Sequence, residues 1–112
     1  LPLVIFAKEL LVLNNVNLIK GNIQDTLEQF LSSRSNKKIL FAHMDMDTYA
    51  STKYALNKIK PFLKKGAVIL FDEFYGYPNW QQEEYKAFIE VFNENEYKYI
   101  AFCESEVVIE IV

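Results

Sequence analysis

The 112-residue sequence has a single cysteine, Cys103, so no intrachain disulfide and no cysteine-based zinc site can be built from it. With no oxidising signature, a reducing, cytoplasmic setting is expected. Only three glycines and three prolines accompany 51% hydrophobic and 24% charged residues, which excludes a collagen-like repeat, a low-complexity linker and a disordered tail. Positive charge is scarce too. At a net charge of −3, the chain lacks the basic surface that nucleic acid binding needs. The lysines that do gather, Lys58, Lys60, Lys64 and Lys65, read as a solvated helix end. No apolar run reaches the about 18–20 residues of a membrane span, so no membrane partner is expected. Residues 1–13 are apolar but broken by Lys8 and Glu9, without the basic leader or small-residue cleavage site of a signal peptide. The absence of a starting methionine is what a fragment or processed product would show. Neither GxGxxG nor GxxxxGK[ST] occurs, and no Ser–His–Asp or Cys–His arrangement is visible.

What is present alternates in kind. Short apolar runs at 16–19, 39–44 and 67–71 have no polar face, as expected of strands buried on both sides of a parallel sheet. Helical patterns lie between them. Asp25-Thr26-Leu27-Glu28 has the spacing of a capping box, with Leu27, Phe30 and Leu31 as its apolar stripe. Tyr49, Thr52, Leu56, Ile59 and Leu63 share one face of a second helix. Pro61 should end its regular part, and Gly66 should close the turn before the next strand. A third helix is expected over 80–93, with Tyr85, Phe88, Val91 and Phe92 facing inward. Residues 97–102 and 106–112 are β-branched and aromatic runs around the turn Glu104-Ser105, an antiparallel hairpin. The order β-α-β-α-β-α-β-β, led by a helix over 4–13, predicts a single α/β domain, a Rossmann-like three-layer sheet ending in a hairpin.

In such a sheet, ligands bind beyond the carboxyl ends of the strands. Asp45-Met46-Asp47 follows one run and Asp72-Glu73 the next, so four carboxylates fall at one edge. Clustered carboxylates repel, whereas a hard cation such as Mg²⁺ is held by a few of them and leaves positions for substrate oxygens. Asp45, Asp72 and Glu73 form a candidate metal set; the alternative is that these acids cap helix N-termini, the role that suits Asp47. His43 shares a strand face with Asp45, as a base or as a core histidine. Phe74, Tyr75, Tyr77 and Trp80 crowd the next loop, which could wall a ring-bearing ligand, enter the core or meet a partner chain.

These residues resemble a family. Asp45-Met46-Asp47-Thr48-Tyr49-Ala50-Ser51-Thr52, with Leu63-Lys64-Lys65-Gly66-Ala67-Val68-Ile69-Leu70-Phe71-Asp72-Glu73-Phe74 and, upstream, Lys20-Gly21-Asn22-Ile23-Gln24-Asp25, is similar to the macrocin O-methyltransferase (TylF-like) family. Those are class I enzymes using S-adenosylmethionine and Mg²⁺. The resemblance implies metal ligation by Asp45, Asp72 and Glu73. It implies cofactor contacts from Gly21, Asn22, Ile23, Gln24, Asp45 and Met46, and it leaves Tyr75, Tyr77 and Trp80 to flank a small-molecule hydroxyl acceptor. It implies no general base, because the lysine that catechol-type relatives carry three positions after the first metal acid is Thr48 here.

The family's glycine-rich cofactor loop and its ribose-binding acid have no counterpart in residues 1–112. The expectation is therefore a partial domain, the C-terminal half of the fold. An apolar strand left without its neighbour should associate, so either the run at 16–19 pairs onto the run at 39–44 or a homodimer forms through that edge, with exchange of residues 1–13 as one route. Two competitors stand beside the methyltransferase: a non-catalytic binding or dimerisation module derived from one, and a DxD glycosyltransferase, which explains neither the YxST helix nor Asp72-Glu73.

Overall fold

In a computed structural model, residues 15–112 are described. Helix α1 (Ile23–Ser32) begins where Asn22 accepts a 3.0 Å hydrogen bond from the Gln24 amide, satisfying one of the orphan N–H groups of the first turn. The helix thus starts earlier than the Asp25 capping box would place it, and Asp25 stands in its first turn, where negative charge is favoured. Gly21 allows this entry. Its φ is 136°, and a Cβ there would lie 2.9 Å from the Thr26 methyl.

Strand β1 (Ile39–Met44), helix α2 (Tyr49–Ile59) and strand β2 (Leu63–Phe71) make a parallel crossover unit. Pro61 ends α2 as expected, in a single 3₁₀ turn over Lys60–Phe62. The next strand opens at once, at Leu63, which belongs to β2 and not to the helix face where its spacing put it. Gly66 therefore does not close a turn: it sits inside β2 at φ 90°, where the register jumps from Ile39 opposite Leu63 to Phe41 opposite Val68. That bulge absorbs extra residues of β2, and glycine tolerates its backbone.

The expected third helix is divided. Trp80–Gln82 forms a 3₁₀ turn and α3 covers Glu84–Val91, with Ala87, Phe88 and the following Phe92 buried. The hairpin is as expected: β3 (Tyr97–Cys103) and β4 (Glu106–Ile111) pair antiparallel around Glu104, whose φ is 54°. β4 returns antiparallel against β2, giving the order β1-β2-β4-β3.

Ala42, Ile69 and Ile109 align across three strands, as do Met44, Phe71 and Val107, and all are buried. They form one core with Ile23 and Leu31 of α1, Ala55, Leu56 and Ile59 of α2, and Phe88 of α3. The helices therefore cover one face of the sheet. His43, Leu70 and Val108 align on the other face and are only half-buried. Of the three layers expected, the sheet and one helical layer fall within the described residues. The expected helix over 4–13 lies outside them.

The expected strand over 16–19 is not formed. Val16 and Leu18 are exposed, while Asn17 and Ile19 line an open cavity of about 290 Å³ together with Ile23, Leu27, Phe41 and Ala55. A strand needs a hydrogen-bonded neighbour, and this segment stands across the cavity from β1 instead of pairing with it. Pairing of the segment onto β1, one expected way to close the edge, is thus absent among the described residues. No helix of the described residues is long and apolar enough to cross a membrane.

Candidate functional site

The carboxyl ends of β1 and β2 and the amino ends of α1 and α2 lie at one edge. The Asp72 amide donates to the Met44 carbonyl at 3.0 Å, continuing the ladder one residue past the strands. The Gln24 side chain donates to Ser51 Oγ at 3.4 Å, and the Tyr54 hydroxyl donates to the Gln24 carbonyl at 3.2 Å, which ties the start of α1 to the first turns of α2.

The loop after β1 turns sharply. The Thr48 amide donates to the Met46 carbonyl at 2.7 Å across Asp47, whose φ is 64°. A non-glycine residue in that region is sparsely populated and costs about 1–3 kcal/mol, which its surroundings must impose. Asp47 was expected to cap α2. The residue at the cap is Thr48, whose side chain makes no capping bond, and the Tyr49 amide is instead met by Glu83 Oε2 at 3.1 Å.

The loop after β2 is held from the hairpin. The Phe74 amide donates to the Ser105 carbonyl at 2.8 Å, and Ser105 Oγ lies 3.4 Å from the Asp72 carbonyl it donates to. These anchors bring two overlapping donor sets together. His43, Asp45 and Asp72 place ligand atoms within 4.8 Å of one another, and so do Asp47, Asp72 and Glu73. Asp72 belongs to both. Of the set Asp45, Asp72 and Glu73, the structure joins Asp45 to Asp72 and Asp72 to Glu73, with His43 beside the first pair and Asp47 beside the second. His43 is not a satisfied core histidine: its Nε2 lies 3.8 Å from Asp72 Oδ1 and has no hydrogen-bond partner.

The electrostatics follow from this crowding. Partial desolvation, then the hydrogen bond to Asp72 and the charges of Asp72 and Asp47, hold the Asp45 carboxyl above its ordinary range, and His43 opposes the rise. The charge of Asp47, then desolvation, then Asp72 and Asp45, raise Glu73 likewise. A divalent cation would relieve both shifts. The all-carboxylate set of Asp47, Asp72 and Glu73 has the hard oxygen donors that Mg²⁺ takes, whereas the His43 imidazole of the other set suits a softer divalent ion.

The aromatic loop divides between roles. Phe74 is buried, with its ring 5.0 Å from Phe71 and 5.8 Å from Phe88. Trp80 lies edge-on to Tyr85 at 5.0 Å and Tyr75 edge-on to Phe102 at 6.0 Å, both partly exposed. The Tyr77 hydroxyl donates to the Glu73 carbonyl at 3.0 Å. Burial, then the charges of Glu84 and Glu73, push it up to about 12, so it holds the loop and keeps its proton.

Sequence reasoning missed Glu83 and Glu84. Glu84 is fully buried, accepts the Glu73 amide on Oε1 at 3.1 Å, and leaves Oε2 without a partner. Burial pushes it up to about 8, against the pull of the Glu73 amide it accepts. In Gln81-Gln82-Glu83-Glu84 nothing marks one acid as internal; only the break of the third helix at Glu83 turns it inward.

Residues 5–74, more than half of the chain, match a family described as a methyltransferase domain, and the chain belongs to that family. No curated protein matches it. Among solved structures, it is similar to the calicheamicin methyltransferase CalS11. The apo form of that protein, described as a TDP-rhamnose 3'-O-methyltransferase of calicheamicin biosynthesis, superposes with a TM-score of 0.72 at 26% identity, over 83% of this chain and 40% of that one. A second CalS11 structure gives 0.73 at 26% identity, over 83% and 36%. The chain thus spans well under half the length of these structures.

Proposed function

We propose that this chain is part of an S-adenosylmethionine-dependent, divalent-metal-assisted O-methyltransferase acting on a hydroxyl of a sugar or small natural product. The observation that carries the reading is the meeting of Asp45 and Asp72 past the ends of two parallel strands, in a chain of the methyltransferase domain family. Asp45, Asp72 and Glu73 would hold the cation, with His43 and Asp47 at its flanks. Mg²⁺, when bound, supplies a lower hydroxyl pKa and a fixed orientation of the acceptor oxygen. Gly21, Asn22, Asp45 and Met46, on the loops of this same edge, and Ile23 and Gln24, at the start of α1, would line the cofactor. Tyr75 and Trp80 would flank the acceptor, and Tyr77 would fix the Glu73 main chain beside it. The likeness to a sugar methyltransferase supports a sugar-bearing acceptor, and the TylF-like motifs support the same class. The short span relative to those structures favours a second reading, in which these residues alone form a non-catalytic module and the open β1 edge joins a second copy.

Calorimetric titration of S-adenosylmethionine, with and without Mg²⁺, into this chain and into a longer chain containing it separates the two. The methyltransferase reading expects binding by the longer chain that methyl transfer to a hydroxyl substrate then follows. Binding by neither would overturn it.

A further inference from the structure

The proposed site asks four like charges to share one edge. The carboxylate oxygens of Asp45 and Asp72, and of Asp47, Asp72 and Glu73, lie within 4.8 Å of one another, so the two acid-bearing loops repel each other and must be restrained from elsewhere. Among the described residues, no lysine or arginine forms an ion pair with Asp45, Asp47, Asp72 or Glu73. The restraint visible in the structure runs instead through main-chain amides to two adjacent acids at the start of α3. Glu83 Oε2 accepts the Tyr49 amide at 3.1 Å, fixing the end of the Asp45–Thr48 loop. Glu84 Oε1 accepts the Glu73 amide at 3.1 Å, fixing the loop after β2. The Tyr77 hydroxyl holds the carbonyl of the same Glu73 at 3.0 Å, so that residue is gripped on both sides.

The identity of Glu84 needs an explanation beyond stability. Its side chain is fully buried and half of its carboxyl is unpartnered. Such a group costs stability that an apolar side chain of like volume would not cost. We infer that Glu83 and Glu84 are positioning residues that clamp the two acid-bearing loops at the spacing a divalent cation requires. The inference rests on the proposed metal site. Partners of this kind, one shell behind the ligands, affect metal affinity by about 10–100-fold.

The test measures Mn²⁺ affinity by electron paramagnetic resonance, together with amide hydrogen exchange, on the 112-residue chain and on Glu84→Leu, Glu84→Gln, Glu83→Ala and Glu83→Gln. Glu84→Leu removes the acceptor and keeps the volume. It should weaken Mn²⁺ about tenfold or more and speed exchange at Glu73, with no fall in the thermal midpoint. Glu84→Gln keeps an acceptor oxygen and should stay within about threefold of wild type, a gap worth well under 1 kcal/mol. Glu83→Ala should speed exchange at Tyr49 and weaken Mn²⁺, and Glu83→Gln should rescue both. If Glu84→Leu fails to fold, the Glu83 pair decides on the same readouts. Wild-type Mn²⁺ affinity in both Glu84→Leu and Glu83→Ala, or equal losses in each glutamine variant, would overturn the inference. Failure of the wild-type chain to bind Mn²⁺ would overturn the metal reading beneath it, and unchanged exchange at Glu73 and Tyr49 would then overturn the clamp as well.

Discussion

The two sides of the sheet are finished to different degrees. On the hairpin side, Phe88 is fully buried, with its ring 5.2 Å from Phe71, 4.5 Å from Tyr97 and 5.2 Å from Phe92. On the β1 side, Leu40 is 64% and Phe41 56% exposed, the strand has an open edge, and a cavity of about 290 Å³ separates it from residues 16–20. The hairpin side buries its central rings through contacts between residues near in sequence, although β3 is an edge strand too, with Ile100 46% and Phe102 58% exposed. The β1 side needs a neighbour that the described residues do not supply. The candidate site sits at the seam, on loops anchored from the finished side by Ser105, Glu83 and Glu84.

Substitution should expose this difference most strongly at buried rings. Phe88→Ala is expected to cost about 3–5 kcal/mol of unfolding free energy, whereas Phe41→Ala or Phe41→Lys should change it by no more than about 0.5 kcal/mol. Urea denaturation measures both. If the open edge joins a second copy, Phe41→Lys should also weaken self-association in sedimentation. A Phe41→Ala loss as large as that of Phe88→Ala would mean that the β1 side is as closed as the other.

Overpacking gives a contrast of opposite sign. Ala87 and Ala55 are both buried, but only Ala55 lines the cavity. Ala87→Leu should cost about 1–3 kcal/mol by forcing neighbours off their rotamers. Ala55→Leu has free volume to enter and should be neutral or slightly stabilising by thermal melting. Equal losses at the two positions would erase the distinction between the two sides.

A further contrast is a pH dependence at the seam. Glu84 is raised from 4.5 to about 8 in the folded chain by burial. Above the ordinary carboxylate range the unfolded chain has lost this proton while the folded chain retains it. The contribution to stability is therefore complete at the acid end and is lost as pH rises through about 8. Denaturation midpoints between mildly acid and mildly alkaline pH should fall with rising pH in the wild type and fall less in Glu84→Gln. Parallel curves would show that Glu84 keeps its charge in the fold.

Which elements were legible in the sequence follows the same division. The hairpin, the βαβ unit and the inward Thr52, Leu56 and Ile59 of α2 are fixed by local periodicity and by Pro61, and they were readable. The run at 16–19 carries the pattern of a buried strand, but a strand is realised only when another pairs with it, and pairing is not written in the run itself. The position of Gly66 inside a bulge depends on the register of β1 against β2, which no local signal sets. At the site, the strand–acid spacing was enough to bring Asp45 to Asp72. The joining of His43 to one pair and Asp47 to the other needed the actual turn at Asp47. Glu83 and Glu84 were invisible because a helix start rich in acids looks solvated, and only tertiary packing buries one of them.

Asp72 is shared by both donor sets, so its removal tests the central claim most directly. Mg²⁺ affinity measured by calorimetry for the wild type, Asp72→Ala and the distant control Asp25→Ala should fall by about tenfold or more in Asp72→Ala, at least 1.4 kcal/mol, and be unchanged in Asp25→Ala. Equal affinity in all three would contradict a divalent-metal site at this edge.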